Sequence, residues 1–273
     1  MPQWLSAVRE HCEALATGAL PASRQVVAAA KRELNWIDSQ RYELRHREVE
    51  RALRFIQSLR HVRGPWAGQR FELLPYQLWA VVHAFGWWDG DRRVTRRVFL
   101  SVPRKNGKTT FAAALALKLL LADDEPGPQV VCVATSREQA QIAMGEAREM
   151  LDGLPEIRRV VQLFRSEIRV LGNRGRLWAA SGDAARLHGY SLSGAVVDEL
   201  HAYTDRTLWD AVITATLART KPMVIAISTA GDDRASLFSD LRSHALAVAE
   251  GEREDDGFFG LDYYAELDED WRD

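Results

Sequence analysis

Arg97-Val98-Phe99-Leu100-Ser101-Val102-Pro103-Arg104-Lys105-Asn106-Gly107-Lys108-Thr109-Thr110 runs from an apolar strand through a tight polar loop into a long apolar helix over Phe111 to Leu121. That order builds an anion site, because backbone N–H groups and a helix N-terminus face the phosphate. Lys108 is placed to reach β- and γ-phosphates and the Thr109 hydroxyl to hold Mg²⁺. Arg104, Lys105, Asn106, Gly107 and Thr110 complete the loop. The full pattern carries glycine five residues before Gly107, and Val102 stands there instead. Taken alone, Gly-Lys-Thr fits a surface turn capping a helix as well as a nucleotide site.

The chain of 273 residues is 47% hydrophobic and 27% charged, so it can bury a sizeable core as one large domain or two small ones. The formal net charge of −2 makes no global electrostatic case for nucleic acid or an acidic membrane. The charge is uneven. Lys31 to Arg70 carries 10 basic and 5 acidic residues, whereas Gly231 to Asp273 carries 14 acidic and 4 basic. Such runs are solvated faces or phosphate contacts. Cys12 and Cys132 lie far apart, without disulfide or metal-ligand spacing, which points to a reducing cytoplasm. No signal pattern opens the chain. The longest apolar helix is short and interrupted by Lys118.

Residues 1 to about 60 read as helix, with apolar spacing at Ala28–Leu34 and over Tyr42–Leu59, and Gly64-Pro65 ends it. A further helix starts at Pro75, where a missing N–H is harmless, and runs through Phe85. Gln77 lies in its first turn. An amide there can read the adenine edge, or be an ordinary polar residue. Val130–Ala134 is a second buried strand, followed by Ser136 and Gln139 in capping-box spacing and a helix to about Leu151. This alternation argues for a parallel α/β sheet. Glu167–Leu171 and Arg176–Ala180 flank a Gly-Asn-Arg-Gly turn as a β-hairpin.

Ala195-Val196-Val197 then runs straight into Asp198-Glu199, and successive side chains of a strand face opposite ways. Asp198 would serve a metal and Glu199 would orient an attacking water. A plain strand-ending acidic pair is the alternative. Thr204–Arg219 reads as helix, Pro222–Gly231 as a buried strand ending in Ser228-Thr229, Leu237–Ala249 as helix and Gly257–Tyr264 as a last strand.

Four segments carry a resemblance: Leu73-Leu74-Pro75-Tyr76-Gln77, Val102 through Thr109, Asp198-Glu199-Leu200-His201 and Ile227-Ser228-Thr229-Ala230-Gly231. In this order and spacing the chain resembles the ATPase domain of large terminase subunits, the DNA-packaging motors of tailed bacteriophages, from roughly Leu53 onward. The resemblance implies a P-loop NTPase fold, a three-layer α/β/α sandwich with a mostly parallel central sheet and a β-hairpin insertion. Residues 1–60 would form a helical lead-in packed on the core, and 61–273 the ATPase domain. Members often lack the first glycine and carry a loop arginine, here Arg104, acting on the γ-phosphate in cis. Gln77 becomes the adenine reader, and Thr229 lies in the motif coupling hydrolysis to movement.

Many members place an Arg-Gly pair before the acidic pair, and its arginine reaches a neighbour's ATP. Here His188 precedes Gly189, so Arg186 and Arg137 are the candidate trans arginines. The implied cofactors are ATP and Mg²⁺. The implied partners are double-stranded DNA, further copies in a ring on a viral portal and the small terminase subunit, with no membrane, in the cytoplasm of the infected bacterial host. Terminases usually continue into a nuclease domain, which is not expected from this chain. Expected DNA contacts lie among Arg92, Arg93, Arg96 and Arg97 or in Lys31–Arg70. The competing readings are a helicase-type DNA-dependent ATPase fragment and a nucleotide-regulated binding module without turnover.

Overall fold

The computed structural model describes residues 1–181, 187, 189–203, 205–230 and 236–264. Helices α1 (Gln3–Ala16), α2 (Arg24–Ser39) and α3 (His46–Ser58) form the N-terminal region. The continuous helix expected from Tyr42 is corrected. Gln40 adopts φ 52 and ends α2, and Glu43–Leu44 form a short strand, β1. Tertiary pairing overrides the apolar spacing here. After α4 (Pro75–Gly86), β2 (Trp87–Asp89) pairs antiparallel with β1, and a turn at Gly90 (φ 53) returns the chain into β3 (Arg92–Arg93).

Strand β4 (Arg97–Ser101), helix α5 (Lys108–Leu121), β5 (Gln129–Ala134) and α6 (Arg137–Asp152) then alternate as the sequence requires. Ser136 caps α6 by accepting the Gln139 N–H at 3.2 Å. A short helix, α7 (Pro155–Arg158), leads into β6 (Val161–Leu163), β7 (Glu167–Val170) and β8 (Arg176–Ser181). The chain closes with β9 (Gly194–Asp198), α8 (Thr207–Thr216), β10 (Met223–Ser228), α9 (Leu237–Ala249) and β11 (Phe258–Asp262).

The main sheet has the order β11-β4-β10-β9-β5-β8-β7-β6. The β11-to-β8 pairings are parallel, and β7 and β6 add on antiparallel. The expected hairpin is therefore built into the sheet, because β8 pairs parallel with β5, and the strand β6 extends it further.

Alternation assigns each face. Val98, Leu100, Val130, Cys132, Val196, Ile225 and Ile227 point to a core shared with α1 to α6. Phe99, Val131, Val133, Ala195, Val197, Val224 and Ala226 point to a second core under α8 and α9. The result is α/β/α layering, and strands buried on both faces explain the unbroken apolar runs. Gly194 is needed where α5 crosses β9, since a Cβ there would sit 2.8 Å from Leu119 Cδ1.

The lead-in helices are part of this core, not an appendage. Edge strand β11 is closed by α2. Gln25 Nε2 donates to the Gly260 carbonyl at 2.9 Å, and Gln25 Oε1 accepts the Asp262 N–H at 2.8 Å. One buried glutamine thus stands in for a neighbouring strand, which keeps the edge from recruiting another. The uneven charge also finds its partners here. Arg32 and Arg41 pair with Asp256 at 3.0 and 2.8 Å, and Arg24 pairs with Glu250. Two arginines of the basic segment, Arg32 and Arg41, therefore answer the chain's own acidic segment. Two of the four arginines expected to meet DNA also have partners within the chain. Arg93 is buried against Asp123 at 2.6 Å, and Arg97 binds Asp255 at 2.7 Å.

Asp123 also takes Lys118, the one charged residue on the apolar face of α5, whose ammonium lies 3.5 Å from the Phe85 ring centroid. Burial pulls the Lys118 pKa down to about 7, against the attraction of Asp123.

Substitution of these buried polar groups tests their roles. Gln25→Leu orphans two buried backbone groups and should cost about 2–5 kcal/mol in chemical denaturation. A loss under half a kilocalorie would mean the edge is closed by other means. Asp123→Asn leaves Lys118 and Arg93 uncompensated and should cost about 3–5 kcal/mol, whereas Lys118→Met should be near neutral. The sign of the pH effect follows from the depressed lysine. Between about pH 7 and the ordinary lysine value the unfolded chain binds a proton the folded chain has released, so stability rises with pH there. Lys118→Met should abolish that rise.

Candidate nucleotide site

Strand β10 lies between β4 and β9, so three parallel strands end side by side. Their carboxyl ends carry the loop after Ser101, the Ser228-Thr229 pair and Asp198-Glu199. All three sequence signals meet at one sheet edge, where ligands of open α/β folds bind.

The loop explains its missing glycine. Val102 is 3% exposed, and its N–H donates to the Ser228 carbonyl at 3.1 Å, so this position prolongs the strand and packs into the core. Nothing there demands a left-handed backbone. The left-handed residues are Lys105 (φ 69) and Gly107 (φ 70), and Gly107 opens α5 as its N-cap. A non-glycine residue held this way stores about 1–3 kcal/mol, a feature that clusters at functional sites. Asn106 Nδ2 donates to the Pro103 carbonyl at 3.1 Å and staples the loop. Arg104 is exposed on it, and Thr109 and Thr110 are half-buried in the first turn of α5.

Gln77 sits beneath the loop, 2% exposed. Its Oε1 accepts the Leu74 N–H at 3.0 Å, capping α4, and its Nε2 donates to the Tyr76 hydroxyl at 3.2 Å. Tyr76 in turn donates to the Asn106 carbonyl at 2.9 Å. The Leu-Pro-Tyr-Gln segment is therefore wired to the loop through its backbone. Tyr76 is a site residue that sequence reasoning passed over, though it stood beside Gln77 in the same quoted segment.

Lys108 is buried within electrostatic reach of Glu199, Asp198 and Arg104. Burial lowers its pKa, and the two carboxylates partly restore it. Asp198 is 6% exposed, and its carboxyl is pushed up to about 6 by burial first and the Glu199 charge second. Its Oδ1 accepts the Glu199 N–H at 2.9 Å. Tyr203, also buried beside Asp198, has its phenol pushed up by burial and that charge.

The basis expected for the division between the two acids is corrected. Glu199 does not alternate along β9, since the strand ends at Asp198 and Glu199 turns left-handed at φ 52. That turn swings its side chain out to 30% exposure and toward His201, whose Nδ1 lies 3.2 Å from Glu199 Oε2. His201 Nδ1 is also 3.1 Å from Ser228 Oγ and 3.4 Å from Thr229 Oγ1. His201 is a second residue the sequence reading left without a role, although it closed the Asp-Glu-Leu-His segment.

The site therefore gathers Gln77, Arg104, Lys105, Asn106, Gly107, Lys108, Thr109, Thr110, Asp198, Glu199 and Thr229 at one sheet edge. The two trans candidates stand apart. Arg186 lies outside the described residues. Arg137 is the first residue of α6, and its side chain lies outside them too.

Residues 75–246 match the family model for the terminase large subunit, ATPase domain. The large terminase subunit of Enterobacteria phage HK97 is 31% identical over 197 residues, 70% of this chain and 38% of that protein. The protein YmfN of Escherichia coli K12 is 28% identical over 127 residues, 46% of this chain and 26% of its own length. The crystal structure of the HK97 large terminase superposes with a TM-score of 0.69 at 29% identity, covering 81% of this chain and 45% of that one. The Thermus phage P74-26 large terminase ATPase domain shares the fold, with a TM-score of 0.50 at 20% identity over 62% of this chain and 75% of that one. The chain spans less than half the length of the HK97 protein. The family model matches more than half of the chain, and the chain belongs to the terminase large-subunit ATPase-domain family.

Proposed function

We propose that this domain hydrolyses ATP to drive double-stranded DNA into a viral procapsid. The observation that carries the reading is the meeting of Lys108 with the Asp198-Glu199 pair across the tip of β10. A cation for phosphate oxygens, a buried carboxylate suited to a metal and a half-exposed carboxylate for water then stand at one edge.

The chemistry is in-line attack of water on the γ-phosphate, which needs positioning and charge neutralisation more than covalent help. The loop N–H groups of Arg104 to Thr110 cradle phosphate oxygens. Lys108 and the exposed Arg104 neutralise charge that moves outward during transfer. Glu199, turned away from the strand, orients the water. Gln77 sets the loop through Tyr76 and keeps one amide hydrogen for the adenine edge.

Mg²⁺ fits the donors present. Among the described residues no group of three or more His, Cys, Asp or Glu gathers as a metal cage. A cation here would rest on Asp198, the Thr109 hydroxyl and phosphate oxygens, which is the magnesium habit. The raised Asp198 carboxyl supports this, since a buried acid short of positive charge is what a nearby cation relieves. The ion, held by Asp198 and Thr109, would supply positive charge that screens the phosphates.

The partners are proposed from the family and the HK97 relative: DNA, a ring of like subunits on a portal, and a small subunit, in the host cytoplasm. Among the described residues no helix is long and apolar enough to cross a membrane. Arg92 and Arg96 remain exposed for phosphate contact, and Arg186 or Arg137 would complete a neighbour's site.

Glu199→Gln should keep ATP binding and lose about 10²-fold or more in phosphate release. Lys108→Ala should weaken ATP binding about tenfold or more as well as turnover, since it removes a charged phosphate contact. Equal losses of binding in both variants would contradict the division of labour. Titration of duplex DNA against salt tests the DNA reading separately. Affinity should fall steeply with salt concentration, and Arg92→Ala with Arg96→Ala should flatten that slope. A salt-independent affinity would remove the phosphate-contact argument.

A further inference from the structure

We propose that His201 is a positioning residue which, through Nδ1–H, ties the water-orienting carboxylate Glu199 to the tip of strand β10. The proposal rests on the nucleotide-site reading above and concerns how that site reports its state to the sheet.

Ser228 Oγ has one hydrogen, and it goes to the Thr229 carbonyl at 2.7 Å. The same oxygen accepts the His201 backbone N–H at 3.1 Å. Ser228 therefore has no hydrogen left for the His201 ring 3.1 Å away. Glu199 Oε2, 3.2 Å from that ring nitrogen, is a carboxylate oxygen and only accepts. Two close oxygens with nothing to donate require a donor between them, so Nδ1 carries the hydrogen. Thr229 Oγ1, at 3.4 Å, is the most distant of the three neighbours.

The ring is not needed to hold the turn. The backbone N–H of residue 201 already binds Ser228 Oγ, as it would with any residue at that position. What the imidazole adds is a donor shared between two acceptors, one on the catalytic turn and one on β10. When Glu199 turns toward a water at the γ-phosphate, Nδ1–H keeps Ser228 as its acceptor. When Glu199 returns, the donor is shared again. The position of Glu199 is thereby registered on β10, whose Ser228 carbonyl also holds the Val102 N–H of the phosphate loop. His201 thus joins acidic turn, strand β10 and loop without touching substrate.

The test compares His201→Asn, His201→Gln and His201→Ala in steady-state phosphate release, with and without duplex DNA, and in ATP binding. An asparagine amide N–H falls near Nδ1 and a glutamine amide near Nε2. His201→Ala and His201→Gln should lower kcat about tenfold with KM for ATP within about twofold, and His201→Asn should recover most of the loss. Three variants with equal kcat, or a rise in KM at unchanged kcat, would overturn the role. An activity-independent reading comes from ¹⁵N-labelled histidine NMR of the intact chain. The His201 ring should show the Nδ1–H form, and an Nε2–H form overturns the contact whatever the turnover. Failure of the wild-type chain to bind ATP would instead strike the nucleotide-site reading, and the role with it, while the spectrum still decides the contact.

Discussion

Strand β10, buried between β4 and β9, is the constraint on which the site depends. Both faces of this strand are sealed, by α5 on one side and by α8 and α9 on the other. A strand in that position cannot shift register without moving every side chain to the wrong face. Its polar tip is consequently held between the phosphate loop and the acidic pair. The rest of the molecule protects that placement. The lead-in helices cover one sheet face, α2 closes the β11 edge with Gln25, and the antiparallel strands β7 and β6 extend the other edge.

Polar groups away from the site fall into two kinds, and the energetics differ. The Arg24, Arg32 and Arg41 pairs with Glu250 and Asp256 are partly exposed, so each contributes little and is screened by salt. Their role is to join the basic N-terminal segment to the acidic C-terminal one. The Lys118–Asp123–Arg93 cluster is fully buried, where breaking a pair is expensive but the intact set need not stabilise. It ties the far end of α5 to β3, so the helix that begins at the phosphate loop is anchored at both ends.

The parts of this arrangement legible in the sequence were those with local signatures. Apolar runs gave the strands, Ser136 gave a helix cap, and Gly107-Lys108-Thr109 and Asp198-Glu199 gave the two poles of the site. What was hidden depended on contacts distant in sequence. The β1–β2–β3 sheet forms because Leu44 meets Trp87 across more than forty residues, so helical spacing around Leu44 misled. Arg93 looked available for DNA because its partner, Asp123, lies thirty residues on. Arginine number predicts surface charge only when partners elsewhere in the chain are known.

Val102, Glu199 and His201 show a further limit, since each was visible by letter and obscure by reason. Val102 looks like a lost glycine until its N–H is seen on the Ser228 carbonyl, where a strand continuation suits valine better. Glu199 looks like the next residue of a strand until its φ of 52 turns it out of the sheet. The distinct roles of the two acids then come from a backbone turn, with Asp198 buried beside Lys108 and Glu199 free to meet solvent. Both backbone departures converge on β10, through its Ser228 carbonyl and its Ser228 hydroxyl. A single serine at a strand tip thus receives the phosphate loop on one atom and the acidic turn on another.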